Sequence, residues 1–69
     1  MRLSTRNQLA GTVTSVTTGE AMAVVKVRLR GGEVVTSSIT REAAEELELV
    51  EGSEVTVLVK STEVGLAVE

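Results

Sequence analysis

The sequence predicts an all-β protein: a five-stranded OB-like barrel with one short helix between strands three and four. Three observations carry this. Apolar residues recur at period two in several segments. Glycine-centred turns separate most of these segments. Only one stretch is built from helix formers, and it falls after the third strand, an order that fits a small barrel whose helix plugs the space between strands three and four.

The first strand covers Gly11 to Thr18, which is rich in valine and threonine and suits a pleated surface. Thr18-Gly19-Glu20 forms the turn after it. In the second strand Ala21, Ala23, Val25, Val27 and Leu29 share one face, with Lys26 and Arg28 on the other. Gly31-Gly32 is a tight turn, because glycine reaches positive φ at little cost, and Glu33 to Ile39 returns as the third strand of a hairpin. Thr40 is a plausible N-cap for Arg41 to Leu47, where Glu42 supplies an early acid. Ala43, Ala44 and Leu47 fall on one face of that helix, and about two turns are too few to persist without docking on the sheet. Glu51-Gly52-Ser53 turns the chain again. Val55, Val57 and Val59 alternate in the fourth strand, and Val64, Leu66 and Val68 in a fifth.

Composition narrows the function. Sixty-nine residues make one domain, residues 1–69. The chain has no cysteine and no histidine, which removes disulfides, thiolate metal sites and the commonest general base. Oligomerisation is then the remaining way for so small a core to be stabilised. There is no aromatic residue and the net charge is −3, so a nucleic-acid-binding OB module, which stacks bases on aromatics beside a basic groove, is a poor fit. No run of apolar residues is long enough to span a bilayer and the N-terminus has no signal-like apolar stretch, so a cytoplasmic location is expected by default. The starting methionine, with an end soon after the last strand, favours a stand-alone protein over a regulatory barrel fragment of a transporter. No Walker loop, dinucleotide fingerprint, calcium loop or triad is present, and the chain reads as no enzyme. Glu42, Glu45, Glu46 and Glu48 read as a solvated face, not a metal site.

Three donor-rich clusters remain. Ser4-Thr5-Arg6-Asn7 opens the chain, Thr40 starts the helix, and Lys60-Ser61-Thr62 sits where the fourth strand hands over to the fifth. Hydroxyl, amide, guanidinium and ammonium groups all donate to a tetrahedral oxyanion. A doubly charged oxyanion leaving water needs many fixed donors. Taken singly, each cluster also has an ordinary reading, as a solvated terminus, a helix cap and a turn.

At these same residues the chain resembles the molbindin (molybdenum-pterin-binding, Mop) family. It also resembles the TOBE/Mop domains of molybdate-responsive regulators and molybdate-transporter ATPases. The segments that carry the likeness are Leu3-Ser4-Thr5-Arg6-Asn7-Gln8-Leu9-Ala10-Gly11-Thr12-Val13, Gly31-Gly32-Glu33-Val34-Val35-Thr36, Ser38-Ile39-Thr40, Glu51-Gly52-Ser53-Glu54-Val55 and Lys60-Ser61-Thr62-Glu63-Val64. The resemblance implies an OB-like fold, a homo-oligomer that is a hexamer built as a trimer of dimers, and molybdate or tungstate bound at subunit interfaces for molybdenum storage or homeostasis. It implies oxyanion donors at Ser4, Arg6, Lys60 and Ser61, with Thr40 coming from a neighbouring subunit. Thr5 and Asn7 are further candidates. The family often carries a serine three residues after that threonine. Here it is Ala43, whose backbone amide is the remaining donor. The turn at Gly19 is a candidate for a second class of site near a threefold axis, although Glu20 would repel an anion. The family's older name suggests a pterin, but the chain has no aromatic residue to stack on one, so the expected ligand is the bare oxyanion, with no organic cofactor, no nucleic acid and no membrane as partner.

Overall fold

A computed structural model describes all 69 residues. The elements run β1 (Asn7–Thr18), β2 (Met22–Leu29), β3 (Val34–Thr40), α1 (Arg41–Glu46) and β4 (Glu54–Val59), followed by a 3₁₀ turn at Ser61–Glu63. The strands form one antiparallel sheet in the order β3-β2-β1-β4. The chain is thus all-β with one short helix, as expected, but it forms four strands where five were expected. Residues 64–69 belong to no element. The alternation of Val64, Leu66 and Val68 is that of a strand, yet a strand needs a neighbour to take its N–H and C=O groups, and no other strand of the same chain lies beside this segment. Leu66 and Val68 are 95% and 98% exposed.

β1 organises the sheet. It starts at Asn7, four residues earlier than the valine- and threonine-rich stretch indicated, because its first half pairs with β4 (Asn7↔Val59 to Thr12↔Glu54) and its second half with β2 (Gly11↔Leu29 to Thr18↔Ala23). The register shifts between Val13 and Ser15, leaving Thr14 as the extra residue of a bulge. A bulge bends its strand and increases the twist, which lets one long strand serve two neighbours. Both neighbours flank β1 at Gly11 and Thr12, and at Gly11 the approach is close. A Cβ there would meet Val27 Cγ1 at 2.6 Å and the Arg28 carbonyl oxygen at 2.8 Å.

The buried core is small: Val13, Ala23, Val25, Val27 and Ala44. Val16, Leu29, Val35, Ile39, Leu49, Val55 and Val57 pack against it partly buried. The β2–β3 hairpin closes through Leu29 N–H donating to the Glu33 carbonyl at 2.7 Å, with Gly32 at φ 101°. Helix α1 packs on β2 and β3 through Ala44. Leu47, predicted on the same inward face, is 66% exposed, because the space it borders is an open groove.

Candidate functional site

Strand register gathers the sequence-predicted donors into two groups. The last β1–β4 pair is Asn7↔Val59. The next residue outward on each strand is Arg6 and Lys60, so the N-terminal segment with Ser4, Thr5 and Arg6 lies beside Lys60 and Ser61 at one end of the sheet. The Asn7 amide Nδ2 donates to the Val59 carbonyl at 2.9 Å, which pins these two segments together. Asn7 is therefore committed to holding the site's frame. Thr5 is half-buried, and its carbonyl accepts from Gln8 Nε2 at 2.9 Å. Ser4, Arg6, Lys60 and Ser61 are exposed. Neither Arg6 nor Lys60 takes part in an ion pair, since the two ion pairs are Arg30–Glu54 and Arg41–Glu45. The two segments that carry these cations and hydroxyls thus leave the sheet at the same end.

The second group sits at the opposite end of β1. Thr40 pairs with Met22, and Ala23 pairs with Thr18 at the far end of that strand. A 12-residue strand rises on the order of 35 Å, so Thr40 does not meet Arg6 or Lys60 in one chain. The Thr40 hydroxyl accepts the Ala43 N–H at 3.0 Å as a helix cap. That engagement takes the Ala43 amide, the donor expected to replace the family's serine, and leaves the Thr40 O–H hydrogen as the turn's outward donor. Gly19 joins this group through Arg41, whose Nη1 donates to the Gly19 carbonyl at 3.4 Å. Arg41 was not singled out from the sequence. Its only cue is a guanidinium directly after the cap, and its partners here are the Gly19 carbonyl and Glu45.

A third polar cluster joins Arg30, Thr12 and Glu54. Arg30 Nη2 meets Glu54 Oε2 at 2.6 Å, Arg30 Nη1 donates to the Thr12 hydroxyl at 3.2 Å, and that hydroxyl donates to Glu54 Oε1 at 2.9 Å. The hydrogen bond from Arg30, then that from Thr12, holds the Glu54 carboxyl below its ordinary value of 4.5. The triad ties β4 and the end of β2 to β1 at an exposed position. The Thr12 hydroxyl and both Glu54 carboxylate oxygens are already matched, so it is read as a structural clasp. No group of three or more acidic residues could hold a metal ion, and no helix is long and apolar enough to cross a membrane.

Comparison with known proteins accords with the resemblance. The TOBE domain family model matches residues 3–66. The chain is 39% identical over its full length, and over the full length of the relative, to a probable molybdenum-pterin-binding protein of Haemophilus influenzae. Among solved structures, MopII from Clostridium pasteurianum superposes with a TM-score of 0.92 at 40% identity, covering 97% of this chain and all of that one. The cytoplasmic molybdate-binding protein ModG, in a form with molybdate bound, superposes with a TM-score of 0.87 at 41% identity, covering 91% of this chain and 45% of that one. The chain belongs to the TOBE-domain family, among its molybdenum-pterin-binding (molbindin) members.

Proposed function

We propose that this chain binds molybdate, or its near-equal in size tungstate, at sites shared between subunits of a homo-oligomer. The role is molybdenum storage or homeostasis in the cytoplasm, with residues 1–69 acting as a single binding unit without catalysis. The observation that supports this reading is the register at the Asn7–Val59 end, where the segments carrying Ser4 and Arg6 and carrying Lys60 and Ser61 leave the same strand pair with no carboxylate paired to either cation. The molybdate-bound relative ModG supports the choice of anion, and its description as cytoplasmic supports the location.

Ser4 and Ser61 would donate hydroxyl hydrogens, Arg6 a fork of N–H groups and Lys60 a point charge. Thr40 lies at the wrong end of the sheet to reach the same anion within one chain, which supports its donation from a neighbouring subunit. A hexamer arranged as a trimer of dimers would bring the two ends together repeatedly. Selectivity then rests on size: molybdate and tungstate have longer metal–oxygen bonds than the sulfur–oxygen bonds of sulfate, so donors spaced for them hold sulfate loosely. A pterin fits poorly, because the chain offers no aromatic ring to stack on and the groove over the core is walled by aliphatic side chains.

The test is a melting curve with and without molybdate in a background of sulfate. Ligand bound only by the folded assembly raises the melting temperature. Molybdate is expected to raise it, and Arg6→Ala to remove most of that rise. An undiminished rise in Arg6→Ala overturns the assignment of the site.

A further inference from the structure

Discrimination between two anions of equal charge and unequal size needs donors held at a fixed spacing. The two donor segments leave the sheet beyond its last β1–β4 pair, Asn7↔Val59. Ser4, Arg6, Lys60 and Ser61 are all exposed, so burial does not hold them. Each segment is braced along its own chain instead. On the N-terminal side, Gln8 Nε2 donates to the Thr5 carbonyl at 2.9 Å and ties the segment to β1. On the other side, the Glu63 N–H donates to the Lys60 carbonyl at 2.9 Å and closes the 3₁₀ turn that carries Ser61.

These local braces leave the distance between the two segments free. One side-chain link fixes it, at their common root. Asn7 Nδ2 donates to the Val59 carbonyl at 2.9 Å, between residues 52 apart in the chain. No other side-chain hydrogen bond and no ion pair joins residues 1–7 to residues 59–63. Asn7 is half-buried, and a hydrogen bond partly shielded from water is stronger than an exposed one. Only the amide nitrogen can donate to a carbonyl, so this bond also fixes which way round the amide lies.

We infer that Asn7 is a positioning residue that sets the site's preference for the larger anion. The inference rests on the reading of Ser4, Arg6, Lys60 and Ser61 as oxyanion donors. Asn7 acts through its bond to Val59 and not by touching the anion. An ion of molybdate's size draws on both segments at once, so its affinity depends on the distance between them. Sulfate is too small to span donors set for the larger ion. It therefore loses little when that distance becomes free, and loosened donors can close on it. The pinned root thus favours the larger ion and denies the smaller one a full set of contacts. Charge plays no part in the choice, because both ions are dianions.

The test is Asn7→Leu in the assembled protein. This change keeps the approximate size of the side chain and removes its donor. The quantity read is the ratio of the sulfate to the molybdate dissociation constant, from titration of molybdate alone and in competition with sulfate. Molybdate is expected to bind about tenfold more weakly, the lower end of what is lost when a residue holding an ion's ligands is removed. Sulfate is expected to change little, so the ratio falls about as far. An unchanged ratio, whether both affinities hold or both fall alike, overturns the inference and leaves the donor assignment standing. An unaltered chain that binds molybdate no better than sulfate overturns the reading of the site, and this inference with it. Should Asn7→Leu fail to fold, Asn7→Asp decides. Aspartate has the same shape, its carboxylate cannot donate to the Val59 carbonyl, and its charge repels both dianions alike. The ratio falls in Asn7→Asp if Asn7 sets the spacing, and an unchanged ratio there overturns the inference.

Discussion

At the scale of single residues, Gly11 is where the fold tolerates least. Both neighbours of β1 close on it, and one of the two atoms a Cβ would strike is backbone. Gly11→Ala is expected to cost about 1–3 kcal/mol through overpacking, read as a lower urea midpoint at unchanged slope. Thr40 acts first as a cap on a six-residue helix. Thr40→Ala is expected to cost about 1 kcal/mol and also to weaken molybdate binding, whereas Thr40→Ser keeps both, which separates the hydroxyl from the rest of the side chain. Glu54 gives a pH signature. Its carboxyl pKa is lowered in the folded state, so its contribution is present above the ordinary value near 4.5 and is lost as the pH falls through the lower folded value. The group is exposed, so the effect is small. Arg30→Gln is expected to lessen the acid sensitivity of the melting temperature below pH 4.5 and to leave molybdate binding unchanged.

At the scale of elements, what was legible followed from local pattern. The β2–β3 hairpin was readable because Ala23, Val25 and Val27 alternate cleanly and glycine supplies the positive φ at its turn. The helix was readable from Thr40 and its run of good helix formers. The start of β1 was not, because Gln8, Leu9 and Ala10 are all exposed and show no burial contrast. The bulge at Thr14 breaks the period-two pattern at mid-strand. The donors at Ser4, Arg6, Lys60 and Ser61 were nominated by residue type and resemblance. That their segments share one end of the sheet follows from the β1–β4 register, and that Thr40 lies at the other end follows from the β1–β2 and β2–β3 registers, which no local pattern encodes. A peptide spanning 40–48 is expected to show no helical circular dichroism in water, since six residues fall well short of a self-supporting helix.

At the scale of the whole molecule, six of 69 residues are buried. With no cysteine to form a disulfide, so thin a core leaves a narrow margin of stability. The fifth strand expected from the alternation of Val64, Leu66 and Val68 does not form in the chain, because that segment has no strand beside it to pair with. The proposed oxyanion site likewise draws on candidate donors that one chain separates by the length of β1. Assembly and ligand binding are thus two aspects of one proposal, and each should stabilise the other. The measurement that tests this most directly is native mass spectrometry of the protein equilibrated with molybdate in excess sulfate. The account predicts a hexamer carrying several molybdate ions and no sulfate in their place. A monomer without bound molybdate would contradict it.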